Sequence, residues 1–150
     1  LFNQFGIKVV QTWLGCIIAA TVISFPLMYR NARAAFEQVD VNYIYAGRTL
    51  GLSEWTIFRK VVIPVAGPGI ASGTILTFAR ALGEYGATSM LAGNILGKTR
   101  TMAVAIAAEV SAQNYDVAGF WVIVLVTIAF VFIFAINIIT MHGISKIQRW

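Results

Sequence analysis

The chain has 150 residues, 59% of them hydrophobic and only 11% charged, with a mean hydropathy of +0.79. A soluble domain carries about 25% charged residues, so the composition points to lipid, and the length to one domain. The net charge of +5 comes from eleven Lys and Arg gathered in short segments between apolar runs, as in membrane proteins. No basic stripe or aromatic reading surface accompanies them, which argues against a nucleic-acid partner.

Crossing the hydrocarbon core takes about 20 apolar residues in a helix. The uncharged runs 9–29, 61–79 and 117–141 are three candidate spans. Cys16, in the first, is the only cysteine; it builds neither a disulfide framework nor a Cys/His metal cluster and reads as a small buried apolar residue. Pro64 and Pro68 suit the first turn of a helix, where a missing N–H costs nothing. They move the second span to about 64–82, its helix starting around 64–68. Gly69 and Gly73 then form a G-x-x-x-G step that lets another helix approach, unless the spacing is chance in a glycine-rich chain.

Arg30, Arg33, Arg48, Arg59 and Lys60 crowd the loop after the first span, and Lys146 and Arg149 the tail. The loop after the second span holds only Lys98 and Arg100. The positive-inside rule places the first loop and the tail in the cytoplasm, and the N-terminus and 98–116 outside. Trp13, Trp121 and Trp150 suit interfacial belts.

The cytoplasmic loop opens with RNARAAFEQVD at 30–40, predicted as a short surface helix with Arg33 and Glu37 one turn apart. Residues 43–50 form a second helix stopped by Gly51. Ser53 has N-cap chemistry and Glu54 favours a first turn. Trp55, Phe58 and Val62 then recur on one face and Thr56, Arg59 and Lys60 on another, an amphipathic helix leading into the second span. On periodicity alone this is a solvated helix at the membrane surface.

At the other end of that span, 77–94 reads TFARALGEYGATSMLAGN. Arg80 and Glu84 lie four residues apart near its outer end. They read either as an internal ion pair closing a helix or, since ionisable groups in membranes are costly and usually functional, as a fork of donors for an anion. Gly83 and Gly86 bracket Glu84 and Tyr85 and permit a bent segment lining a cavity. Thr88, Ser89 and Asn94 add polar donors there; the alternative is an ordinary loop with turn residues. The segment 99–110 is too short to cross and reads as a re-entrant or surface helix outside. The acids are scattered, His142 stands alone, and neither H-E-x-x-H nor G-x-S-x-G occurs, which argues against an enzyme. No phosphate-binding G-x-x-x-x-G-K-[ST] loop is present either.

The stretch YAGRTLGLSEWTIFRKVVIP at 45–64 resembles the docking loop of the permease subunit of bacterial ATP-driven importers. That loop reads E-A-A, three residues, G, nine residues, I-x-L-P. Tyr45-Ala46-Gly47 stands at the E-A-A positions, Gly51 at the glycine, and Val61-Val62-Ile63-Pro64 at the close. The acid of the pattern is Tyr45 here. ARALGEYGAT, LAGN and GKTRT resemble the molybdate branch of these permeases; sulfate permeases share ARALGE, and tungstate permeases drift further. The likeness runs from FPLMYR around Pro26 through the last helix.

The resemblance implies an all-α integral membrane protein, a helical bundle of the type I ABC importer permease fold. Three transmembrane helices of a larger core are present, with at least two spans expected before Leu1. It implies a non-catalytic subunit that passes molybdate across a bacterial cytoplasmic membrane by alternating access, with tungstate or sulfate as alternative cargo. Tyr45, Ala46, Gly47, Arg48, Gly51, Ile63 and Pro64 would couple to the ATPase through the cytoplasmic loop 30–63. Without the usual carboxylate, that contact would rest on aromatic packing and Arg48. Arg80, Gly83, Glu84, Tyr85, Gly86, Thr88 and Asn94 would border the path, within or beside an outer gate loop 83–116. The implied partners are a second permease subunit in a homodimer, two ATP-binding subunits and an extracytoplasmic substrate-binding protein, which Arg100, Glu109 or Asp116 could meet. No cofactor is expected on this chain, with ATP-Mg on the ATPase. From a different class, a passive channel or membrane scaffold would have no reason to carry such a loop.

Overall fold

The computed structural model describes residues 9–147, with side chains through residue 140. Arg149 and Trp150 lie outside the described residues, and the side chains of His142 and Lys146 are not described. The described residues form helices α1 Trp13–Glu37, α2 Val41–Thr49, α3 Glu54–Ile57, α4 Ile63–Leu82, α5 Gly86–Leu91, α6 Met102–Ser111 and α7 Tyr115–Ile147. Among the described residues, three helical stretches are long and apolar enough to cross a membrane: Trp13–Glu37, Glu54–Leu82 and Tyr115–Thr140.

Two boundaries differ from the sequence reading. The segment from Arg30 is not a separate surface helix but the continuation of α1 through Pro26. Its Ala- and Arg-rich sequence favours helix, and the Nε of Arg33 donates to Glu37 at 2.6 Å one turn on. Nor does the second long helix start at Pro64 or Pro68. Helix α3 passes through a π-helical turn, Phe58–Val62, directly into α4, and Pro68 lies inside that helix. A proline ring crowds the carbonyl four residues back. The wider turn, in which the Ile63 N–H reaches the Phe58 carbonyl, makes room for Pro64.

The chain divides into two compact units. In the unit of Pro26–Thr77 and Phe132–Trp150, α1 and α4 pack antiparallel through small residues. A Cβ built on Gly69 would stand 2.7 Å from Cβ of Ala35, and one on Gly73 2.5 Å from Cβ of Asn31. The hydroxyls of Thr74 and Thr77 lie 3.9 and 3.7 Å from the Met28 sulfur. The G-x-x-x-G step is thus a real close approach, the packing that membrane helices use where apolar burial supplies no drive.

In the unit of Leu1–Phe25 and Phe78–Val131, the start of α1 is tied to the end of α5. The Gln11 N–H donates to the Leu91 carbonyl at 3.1 Å, and Gly15 faces Leu91 and Ala92. Cys16 is only partly buried, its sulfur 3.6 Å from the Thr99 carbonyl. The buried Thr99 hydroxyl accepts from the Ile95 N–H at 3.1 Å and so braces the loop before α6. Thr101 caps α6. The apolar window of α7 is not buried in the described structure; a helix apolar all round leaves its surface to lipid and neighbouring helices.

Candidate functional site

The first cluster is the hairpin α2–α3. Asp40 caps α2, its carboxylate accepting from the Asn42 N–H at 2.8 Å. At the other end, the Leu52 N–H donates to the Gly47 carbonyl and the Gly51 N–H to the Arg48 carbonyl, the paired bonds of a Schellman stop. Gly51 has φ +72°, a conformation in which a Cβ is strained. Ser53 then accepts from the Thr56 N–H to start α3. The two helices lock through Gly47 and Ile57: Ile57 is 1% exposed, and a Cβ on Gly47 would lie 2.8 Å from its Cγ1.

This is a stiff, capped peg. The buried side chain that holds it, Ile57, was not singled out in the sequence, because the Trp55, Phe58 and Val62 face looked like the packing face. Instead Trp55 is 68% exposed, and Phe58 bridges it to Phe36 with ring centroids 5.8 and 6.2 Å away. Tyr45 is 55% exposed with the Arg48 guanidinium 5.9 Å from its ring centroid, a cation–π arrangement. Arg48 also donates to Glu54 at 2.6 Å. Ala46 is exposed, Ile63 partly so, and Pro64 half-buried. Tyr45, Ala46, Gly47, Arg48 and Gly51 are thus brought onto one hairpin, while Ile63 and Pro64 belong to the helix that follows it.

The second cluster follows α4. That helix ends at Leu82, residues 83–85 are non-helical, and α5 begins at Gly86. Glu84, 5% exposed, receives Arg80 at 2.9 Å on one oxygen and the Ala87 N–H at 2.9 Å on the other. The carboxylate therefore closes the end of α4 and caps α5, which favours an anion at its positive end. Arg80 remains 48% exposed. Gly83, Tyr85, Gly86 and Asn94 are exposed. Thr88 differs from expectation: it is buried at 2%, because the turn of α5 that exposes Met90 points it inward, and it adds no donor to an outer surface. Ser89 donates to the Gly86 carbonyl at 2.9 Å.

Arg100 and Glu109 were candidate contacts for another protein. They bind each other at 2.6 Å, with side-chain exposures of 22 and 17%, so neither is a free charge. Asn114 donates to the second Glu109 oxygen at 3.1 Å. These bonds, Asn114 foremost, hold the Glu109 carboxyl below its ordinary range. Asp116, the third of that set, makes no ion pair among the described residues. Among the described residues, no group of His, Cys, Asp and Glu is arranged to hold a metal ion.

Long apolar helices joined by a capped hairpin define a helical membrane protein. The chain belongs to the family of binding-protein-dependent transport system inner membrane components, whose pattern matches residues 4–142. It is thus an all-α, multi-pass membrane protein of that permease fold. It is 49% identical over 102 residues to the molybdenum transport system permease protein ModB of Escherichia coli, covering 68% of this chain and 44% of that protein. A Bacillus subtilis protein that also bears a molybdenum permease name, YvgM, is 41% identical over 137 residues, 91% of this chain and 59% of the relative. The sulfate transport system permease protein CysT of E. coli is 35% identical over 134 residues, 89% and 48% of the two chains. The chain therefore spans about half the length of these relatives. No solved structure matches it.

Proposed function

We propose that this chain is part of the membrane subunit of an ATP-driven importer that carries molybdate inward. The observation that carries the cargo is relatedness: 49 and 41% identity to proteins named for molybdenum against 35% to one named for sulfate. Tungstate and sulfate are tetrahedral dianions of similar shape and remain the competing cargoes. The proposed assembly has a second permease subunit, two ATP-binding subunits carrying ATP-Mg, and an extracytoplasmic protein that delivers the anion, in a bacterial cytoplasmic membrane. The permease itself does no chemistry.

The hairpin supports the coupling role. A peg capped at both ends and locked by Gly47 against Ile57 moves as a rigid body, so a partner that grips it can switch the helices behind it. Tyr45, Ala46, Arg48 and Trp55 present its outer surface. Tyr45 with Arg48 over its ring replaces the acid of the pattern, so the cleft opposite is read as apolar or aromatic. Differential affinity of ATP and ligand for the two states supplies the drive. The test expresses the chain in its full-length permease with the ATPase and delivery protein, and follows uptake of labelled molybdate against excess sulfate. Uptake that needs ATP and resists sulfate supports the reading. Failure of the ATPase to co-purify removes the importer; uptake blocked by sulfate replaces the cargo.

A further inference from the structure

The last third of α1 has two unlike sides. Met28, Asn31 and Ala35 pack on α4. At about 3.6 residues per turn, Tyr29, Arg33 and Phe36 fall on the opposite side, where α4 does not cover them. With Ala32 and Glu37 they line an open groove of about 480 Å³, within the roughly 300–1,000 Å³ that small-ligand sites occupy. The level of this groove in the bilayer follows from α1 alone. Residues 13–29 carry no charge, and Arg30 and Arg33 are the first cations after them. Both are exposed. A charge in hydrocarbon is costly, so the acyl region ends on this helix near Tyr29 and the groove lies among the headgroups. The wealth of Lys and Arg after the span makes those the headgroups of the cytoplasmic leaflet.

Positive charge is in surplus there. Arg33 gives its Nε to Glu37, which leaves its two terminal nitrogens outside that bond. Arg30 makes no ion pair among the described residues. Phe36 stacks on Phe58 with ring centroids 6.2 Å apart, and this brings the π-helical turn beside the groove. Arg59 and Lys60 of that turn are exposed and also make no ion pair among the described residues. The nearby acids are engaged elsewhere: Glu37 with Arg33, Glu54 with Arg48, and Asp40 in the cap of α2. An apolar helix laid in this groove would strip water from Arg30 and from the Arg33–Glu37 pair and return no counter-charge. A phosphodiester returns that charge, and the planar guanidinium fork suits it. Tyrosine beside such cations belongs at the boundary of headgroup and acyl chain.

We propose that this end of α1, with the π-helical turn beside it, is a site for an anionic phospholipid of the cytoplasmic leaflet. The phosphate sits on Arg30 and the terminal nitrogens of Arg33, and Arg59 and Lys60 add to the attraction. Tyr29 and Phe36 flank the glycerol. The site rests on the orientation of the chain in the membrane and not on its cargo.

The experiment places Ala32→Cys, which lines the groove without bearing charge, in the full-length permease with its other cysteines, Cys16 included, changed to serine. The cysteine carries a fluorophore, and the protein is reconstituted in phosphatidylcholine vesicles. At equal mole fraction, phosphatidylglycerol with brominated acyl chains is expected to quench the label several-fold more effectively than brominated phosphatidylcholine. High salt is expected to reduce that preference. Each cation at the membrane surface is worth about fivefold in attraction to anionic lipid, so Arg30→Gln with Arg33→Gln is expected to bring the two lipids close to equality. Arg48→Gln removes a cytoplasmic cation outside the groove and is expected to leave the preference unchanged. Equal quenching of the parent by the two lipids overturns the site. Quenching by neither means that protein covers the groove and overturns it too. A preference that survives the double variant, or that Arg48→Gln lowers as much, belongs to bulk charge and overturns the assignment to these residues. Uptake measured in parallel reports separately on the importer.

Discussion

Two helical glycines, Gly73 of α4 and Gly119 of α7, should respond oppositely to the same substitution. Alanine is favoured over glycine inside a helix by about 0.8–1 kcal/mol. At Gly119 of α7 an added Cβ meets nothing within 4 Å, so Gly119→Ala is expected to stabilise by up to that amount. At Gly73 the new Cβ would lie 2.5 Å from Cβ of Asn31 and 3.8 Å from its Cα. Those atoms belong to the rigid core of α1, and Asn31 is itself tied by its Nδ2 to the Leu27 carbonyl at 2.8 Å. The helices must separate by about 1 Å, and overpacking of this kind costs about 1–3 kcal/mol. Less the propensity gain, Gly73→Ala should destabilise by up to about 2 kcal/mol. Thermal unfolding of the purified permease in one detergent, followed by tryptophan fluorescence, reads both variants. Equal shifts for the two, or a stabilised Gly73→Ala, would refute the packing of α1 on α4.

Gly51→Ala forces a Cβ onto a residue at φ +72° and should cost about 1–2 kcal/mol, Gly51→Asn less; equal losses of melting temperature would exclude the left-handed stop. Arg48→Glu removes the pair with Glu54 and the cation over Tyr45. These groups are exposed, so unfolding should shift little while ATP hydrolysis proceeds without uptake; normal coupled uptake would count against the hairpin as the docking element. Glu109 has a depressed carboxyl pKa in the folded chain. Its stabilising effect is therefore present above the ordinary value of about 4.3 and lost as pH falls through the lower folded value. The melting-temperature gap between the parent and Glu109→Gln should thus be full near neutrality and close in acid; a gap independent of pH would mean that its charge is not what matters.

The hairpin and its caps were legible because they depend on neighbours in sequence. Gly51 stops α2 and Ser53 starts α3 through bonds spanning a few residues, and the Arg80–Glu84 spacing already implied one turn. Three apolar runs named three candidate spans, and the docking-loop and ARALGEYGAT segments pointed to the permease family. What the tertiary structure decided lies between segments distant in the chain. It selected Ile57 over Trp55 as the buried anchor, turned Thr88 inward, and paired Arg100 with Glu109. It also continued α1 past Arg30 to Glu37 and ran α3 through a π turn into α4, where side-chain packing outweighs the signal of Pro64 and Pro68. The packing face of α4 shows the same division. Hydropathy along the chain cannot tell an apolar residue that faces lipid from one that faces another helix, and the packing of Ala35 and Asn31 against Gly69 and Gly73 shows which face of α4 meets α1.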